Sequence, residues 1–245
     1  MALYYYVKKT SLPRRRILSI ASTLFVFSGL SVITWVIYPI LAFELFYAPK
    51  FIGLVRPIPE TIISEAMENA ILGSGDERAN AVYASDVDYT KASNWFPKVS
   101  PKKLEYTFGS YKVSIPKLSI ENALSIVGSE DLSKSLIHWA GSAQPGEYGS
   151  AIIFGHSTIP WLYNPKDYKS IFSKLPDLVR GDEIILTANN NVSYKYIVED
   201  MRIVSPDDVS VLEQKYDDSY VTLITCVPPG TYLKRLVVTG RLSKF

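Results

Sequence analysis

Val221-Thr222-Leu223-Ile224-Thr225-Cys226-Val227 is followed, after Pro228-Pro229-Gly230-Thr231-Tyr232-Leu233-Lys234, by Arg235-Leu236-Val237-Val238-Thr239. Two β-branched apolar runs of strand length, joined by a short proline- and glycine-marked connection, read as adjacent antiparallel strands. That pairing brings Cys226 and Arg235 close together across the connection. Upstream, Ser150-Ala151-Ile152-Ile153-Phe154 is apolar throughout and reads as a buried strand, ending in Gly155-His156-Ser157-Thr158.

The same kind of signal recurs outward from this pair. Gly181-Asp182 turns into Glu183-Ile184-Ile185-Leu186-Thr187, and Asn189-Asn190-Asn191 turns again before the alternating Tyr194, Tyr196 and Val198. Met201 to Val204 continues or restarts that strand. Leu124–Val127 and Leu136–Trp139 are shorter candidates. Tyr111, Val113, Ile115 and Leu118 form an extended segment interrupted by Pro116, which suits an edge or a bulge. Ile171, Phe172, Leu175 and Leu178 give Tyr168–Leu178 a helical reading, and Val209–Gln214 reads as one helical turn. Many short strands, few helices and no βα alternation predict a mainly β fold, a closed or nearly closed barrel.

The N-terminal part follows a different pattern. Ile17 to Phe43 contains 27 residues and no formal charge, enough to cross the hydrocarbon with tilt to spare. A cleaved signal peptide would have a shorter apolar region and a small-residue cleavage site, so a retained helix is expected. Lys8, Lys9, Arg14, Arg15 and Arg16 precede it, which predicts a cytoplasmic N-terminus with the rest outside. Five of the 26 basic residues and one of the 24 acidic ones lie before residue 48, leaving the remainder with a net charge of −2. The calculated +2 is therefore made by the topology signal and implies no nucleic-acid partner. The expected organisation is a basic cytoplasmic tail over 1–16, a transmembrane helix over 17–43, a stem over 44–107 and a β-barrel over 108–245. Within the stem, Glu60–Leu72 reads as a short helix ended by Gly73-Ser74-Gly75-Asp76. Asn94-Trp95-Phe96-Pro97 is an aromatic knot, read either as a cluster pinning the stem to the barrel or as a flap over a site.

Cys226 is the only cysteine, so no internal disulfide is available to a domain expected to face an oxidising environment. It is a buried filler or a nucleophile. His156 follows directly on a strand, which anchors its backbone while its ring can point over the end of the sheet. The competing reading is a turn histidine bonded to a carbonyl. A nearby cation favours a thiolate, an imidazolium can return a proton to a departing amine, and a guanidinium can hold a developing oxyanion or the substrate backbone. Thr225, His138, Ser157 and Tyr232 are candidate substrate contacts. His138, His156 and Cys226 could supply three metal ligands, but they lack close ligand spacing, so neither a metal nor another cofactor is expected.

With these residues in place, the chain resembles the sortases, membrane-anchored cysteine transpeptidases of mainly Gram-positive surfaces. Thr222-Leu223-Ile224-Thr225-Cys226 matches the Thr-Leu-x-Thr-Cys signature, with Arg235 nine residues on and Phe154-Gly155-His156 like the segment carrying the catalytic histidine. Ile115-Pro116-Lys117-Leu118, Pro145-Gly146-Glu147-Tyr148-Gly149 and Phe172-Ser173-Lys174-Leu175 extend the likeness over Tyr111–Leu242. The resemblance implies an eight-stranded barrel in which Cys226, His156 and Arg235 are catalytic. Its substrate would be an LPxTG-like sorting signal of a secreted surface protein, cleaved after threonine through a thioacyl enzyme. The acceptor would be an amine of peptidoglycan or of a pilin. The Asp-Pro-aromatic anchor of some family lids is not found at Asn94–Pro97, and no subclass is recognisable. The alternatives are a non-catalytic peptide-binding barrel and a peptidase that mainly hydrolyses.

Overall fold

A computed structural model describes residues 13–51, 88–96 and 109–243, and the chain divides into two compact units between Ala42 and Phe43. The first contains helix α1 (Pro13–Ala42). The second opens with a π-helical turn, Phe43–Tyr47, and the short helix α2 (Ala48–Phe51). The helical stretch Leu18–Phe51 is long and apolar enough to cross a membrane. Thr23 and Thr34 donate their hydroxyls to the carbonyls of Ser19 and Leu30, both at 2.9 Å, so neither hydroxyl needs a partner outside the helix. The helix expected over Glu60–Leu72 and its glycine turn lie outside the described residues.

The second unit is an eight-stranded closed barrel. Its strands are β1 (Ser110–Ile115), β2 (Ile120–Val127), β3 (Leu136–His138), β4 (Gly149–Phe154), β5 (Glu183–Ala188), β6 (Ser193–Val204), β7 (Ser219–Val227) and β8 (Lys234–Leu242). They follow one another around the barrel as β1-β2-β3-β4-β7-β8-β6-β5, and β5 closes on β1. The pairs β2/β3 and β4/β7 are parallel, and the other six are antiparallel.

Period-2 alternation explains which residues face the interior. Along β7, Val221, Leu223 and Val227 enter the main core with Ala151 and Ile153 of β4 and Leu236 and Val238 of β8. The intervening Ile224 and Cys226 join a second, outer cluster with Ile152, Phe154, Val237, Trp95 and Phe96. Strands β4 and β7 are covered on both faces, which is why they read as unbroken apolar runs. In β6 the inward residues Tyr196 and Val198 are followed by Met201, three positions on. A register shift between Val198 and Asp200 against β8 inserts one extra residue and resets the phase.

Two expectations are corrected. Pro116 does not lie in an edge strand: β1 sits between β2 and β5, its register against β2 shifts between Val113 and Ile115 as the bulge reading allowed, and Pro116 opens a 3₁₀ turn, Pro116–Leu118. Residues 168–178 do not form an α-helix but a run of turns ending in a 3₁₀ turn, Leu175–Asp177. Ile171, Phe172, Leu175 and Leu178 are buried as their spacing suggested, but local side chains compete for the backbone. Ser170 Oγ donates to Asn164 O and accepts from Asn164 N, Asp167 Oδ1 accepts from Lys169 N, and Pro176 has no N–H to give. The Phe172 amide instead donates to the carbonyl of His156 at 2.9 Å. The turn thus ties the core to the histidine.

Gly155, between Phe154 and His156, passes directly over that core. A Cβ at this position would lie 2.4 Å from Phe172 Cδ2 and 2.8 Å from Leu136 Cδ2, closer than packed atoms tolerate. Gly155→Ala is therefore expected to lower the unfolding free energy by about 1–3 kcal/mol, read as a lower denaturant midpoint at unchanged m-value.

Candidate active site

Sheet register brings Cys226 and Arg235 to one level and sets β4, which ends just before His156, alongside β7. In the β7/β8 ladder Cys226 is the register partner of Arg235. In the parallel β4/β7 ladder Phe154 pairs with Ile224, and the Gly155 amide donates to Ile224 O at 3.2 Å. Two residues further on are His156, past the end of β4, and Cys226, still within β7. The spacing is locked by Thr225 Oγ1, which donates to Gly155 O at 2.8 Å, and by Ser157 Oγ, which donates to Cys226 O at 2.6 Å. The thiol thus has the histidine-bearing strand on one side and the arginine-bearing strand on the other.

Arg235 is fully buried and holds its charge on backbone carbonyls. Nη1 donates to Tyr232 O at 3.0 Å and Lys234 O at 3.3 Å, and Nη2 donates to Trp95 O at 3.1 Å. Nε has no hydrogen-bond partner among the described residues. A buried guanidinium N–H without an acceptor costs free energy that an incoming carbonyl would recover.

The site is covered. Ala92–Trp95 forms a 3₁₀ turn whose Trp95 ring centroid lies 5.8 Å from that of His156 and 5.4 Å from the Arg235 guanidinium carbon. Tyr89 stacks on Tyr232 at 4.2 Å and 10°, and Trp95 Nε1 donates to Tyr89 O. This segment is fastened to the loop between β2 and β3. Lys91 bridges to Asp131, the Ala92 amide donates to Glu130 O, and the Leu132 amide donates to Thr90 O. Cys226 is 1% exposed as a result.

Burial pushes the Cys226 thiol up to about 11, against the opposing pull of the Arg235 charge. Burial also lowers His156 from its ordinary value, partly countered by the carboxylates of Asp131 and Asp88 and reinforced by Lys169. In the covered state at neutral pH the pair is therefore a neutral thiol and a neutral imidazole.

The other sequence candidates have different surroundings. His138 pairs with Ile153 on the inner face and is not brought to Cys226. Its Nδ1 lies 2.7 Å from Tyr111 Oη and its Nε2 lies 3.0 Å from Ser142 Oγ. Ser142 Oγ already donates to Trp139 O, so it accepts from His138 Nε2–H, and Nδ1 accepts from the tyrosine. Burial, pulling the imidazole down to about 4, is consistent with this neutral tautomer. Thr225 faces inward and Ser157 is half-buried, each bonded to a backbone carbonyl, whereas Tyr232 is exposed beside the covering turn. Among the described residues no three His, Cys, Asp or Glu side chains gather as metal ligands. Trp95 is the site residue that sequence reasoning did not place. The aromatic knot at Asn94–Pro97 was visible, but its contact with Arg235 runs through a backbone carbonyl, which no side-chain pattern announces.

Removing the Trp95 ring should wet the thiol. Because only the thiolate alkylates readily, the wild-type rate should still be climbing as pH approaches 11. Trp95→Ala should react several-fold faster at neutral pH and level off nearer the ordinary thiol value of about 8.5. Alkylation of Cys226 by iodoacetamide across pH, followed by intact mass, measures both. Superimposable profiles would show that the turn does not control access.

The family model described as the sortase domain matches residues 113–243. The chain is 33% identical over 134 residues to sortase A of Bacillus anthracis, covering 54% of this chain and 58% of that protein. It is 27% identical over 135 residues to sortase D of Bacillus subtilis (strain 168), covering 53% and 61% respectively. Among solved structures, a pilus-related sortase C of Group B Streptococcus aligns at 30% identity over 58% of this chain and 71% of that one, with a TM-score of 0.49. The chain spans about three fifths of the length of the two Bacillus proteins. The family match covers more than half of the chain and contains Cys226, His156 and Arg235; the chain belongs to the sortase family.

Proposed function

We propose that this protein is a cysteine transpeptidase that cleaves an LPxTG-like sorting signal after threonine and transfers the protein to an amine of the cell wall or of a pilin. What supports the reading is the register that pairs Cys226 with Arg235 and sets β4, which ends two residues before His156, beside β7 in a sortase-family barrel. The N-terminus would be cytoplasmic and the barrel extracytoplasmic, in line with the basic residues at 8–16. Residues 1–16 would be the tail, 17–43 the anchor, 44–107 the stem and 108–245 the catalytic domain.

In this reading Cys226 Sγ, as thiolate, attacks the threonyl carbonyl carbon. Arg235 stabilises the oxygen on which negative charge develops, through donors of the kind its unpartnered Nε represents. As the C–N bond breaks, His156 gives its proton to the leaving amine, producing a thioacyl enzyme and a neutral imidazole. That imidazole then takes a proton from the incoming amine, whose attack expels the thiolate. The Trp95 carbonyl that now accepts from Arg235 Nη2 models a substrate carbonyl on the same donor. Withdrawal of the 88–96 turn is then part of the cycle, since Cys226 and Arg235 are buried beneath it.

The test incubates the full chain with a library of sorting-signal pentapeptides and amines, seeking the Cys226 thioester and the ligated product by mass spectrometry. Cys226→Ala should abolish both. His156→Ala and Arg235→Ala should each cut kcat/KM by about 10²–10⁴-fold. Absence of thioester and product across the library would remove the transpeptidase reading, and product without dependence on added amine would make the protein a peptidase.

The pH dependence follows from the two shifts. A thiol raised and an imidazole lowered leave thiolate plus imidazolium as a minority form, lost in acid by protonating sulfur and in base by deprotonating the ring. The kcat/KM profile should be a bell, and Arg235→Lys should lower it without moving either limb. A flat profile with chemistry rate-limiting would remove His156 as the titrating acid.

A further inference from the structure

We infer that the rim beside the active site, formed by the turn Ile159–Leu162 after β4 and the β7–β8 connection at Tyr232–Lys234, docks against the surface of the bilayer that holds the N-terminal helix. The two loops form one patch. A Cβ on Gly230 would lie 3.2 Å from Ile159 Cγ1 and 3.5 Å from Ile159 N, so the connection rests directly on the turn. From this joint project Leu233 (62% exposed), Leu162 (60%), Trp161 (50%) and Tyr232 (49%). Four exposed large apolar or aromatic side chains on two touching loops are more than scattered surface hydrophobics would supply.

Chain continuity identifies the occupant. Lys234 Nζ lies 3.5 Å from Glu44 Oε1, and Glu44 directly follows Phe43, the last residue of the uncharged stretch from Ile17. Phe43 is itself buried in the barrel core. The connection bearing Tyr232 and Leu233 is thus fastened to the first charged residue after the apolar stretch.

The chemistry of the patch suits that location. Trp and Tyr favour the headgroup region, leucines enter just below it, and a lysine can lie along the interface with its charge in water. Both loops also pair part of their own backbone, which lowers the cost of leaving water. Leu162 N donates to Ile159 O, Tyr163 N to Pro160 O and Thr231 N to Pro228 O, while Tyr163 Oη is bonded to Leu118 O. Docked in this way, Tyr232 and the Tyr89 ring stacked on it, at the margin of the covered site, lie at the level of the lipid headgroups. The inference concerns the barrel surface and does not depend on the catalytic reading.

The test uses the full chain carrying Cys226→Ala, reconstituted in phosphatidylcholine vesicles. An environment-sensitive fluorophore is placed in turn at Leu233→Cys, Leu162→Cys and Val192→Cys, the last in the exposed turn between β5 and β6. Quenching by a nitroxide-bearing lipid is compared with quenching by aqueous iodide. Positions 233 and 162 should show lipid quenching several-fold stronger than position 192, and correspondingly weaker iodide quenching. Equal iodide quenching at all three positions overturns the docking. Shielding of 233 and 162 from both quenchers, dependent on protein concentration, also overturns it and assigns the patch to a second copy of the chain. A chain that fails to float with the vesicles removes the membrane span and the docking with it.

Discussion

Strand β7 is held between a parallel neighbour and an antiparallel one, and every feature of the site depends on that arrangement. The β4/β7 ladder sets the level of residue 156 against residue 226, and the β7/β8 ladder sets residue 226 against residue 235. A one-residue slip in either would turn Cys226 from the outer cluster into the barrel interior, because alternation reverses the face of every side chain. The register is protected by burial on both faces, and by the Thr225 and Ser157 hydroxyl bonds that tie β7 to the turn after β4. Chemistry at Cys226 is thus a property of sheet register before it is a property of any side chain.

The electrostatics follow from the cover. An arginine in register with a thiol would by itself favour the thiolate. Burial outweighs it, and the thiol stands at about 11. Relative to an ordinary thiol near 8.5, that disfavours the thiolate by roughly 3 kcal/mol. The cost comes from excluded water, and the outer cluster of Trp95, Phe96, Phe154 and Ile224 is what excludes it. The same state protects the chain's one cysteine, since a neutral, buried thiol is the form least open to oxidation.

Most of the barrel was legible because its signals are local. Ser150–Phe154, Val221–Thr225 and Leu236–Thr239 are unbroken apolar runs, and Tyr194, Tyr196 and Val198 alternate; all lie in strands. The pairing of Cys226 with Arg235 was legible too, because a short connection between two such runs leaves little else. Residues 168–178 misled because burial and helicity were read from the same spacing. The four apolar residues are buried, but through turns set by Asn164, Asp167, Ser170 and Pro176. The inward aim of His138 depends on β3 pairing in parallel with β2, a choice that three residues cannot announce.

The contact between Trp95 and Arg235 spans 140 positions and runs through a main-chain oxygen. Such an acceptor is available at any residue, so only the backbone path of the covering turn selects it. That path is set by the Lys91–Asp131 bridge and the Glu130 and Thr90 carbonyls, and none of these demands a particular side chain at position 95. The ring does. Tilted against the His156 ring and lying near the Arg235 guanidinium, it contributes apolar cover and a cation–π face together. Only a large aromatic residue can exclude water from the thiol while still leaving the neighbouring charge a favourable surface. The 88–96 segment therefore connects to the site through two separable constraints: a main-chain path that positions the turn, and one side chain that makes it a seal.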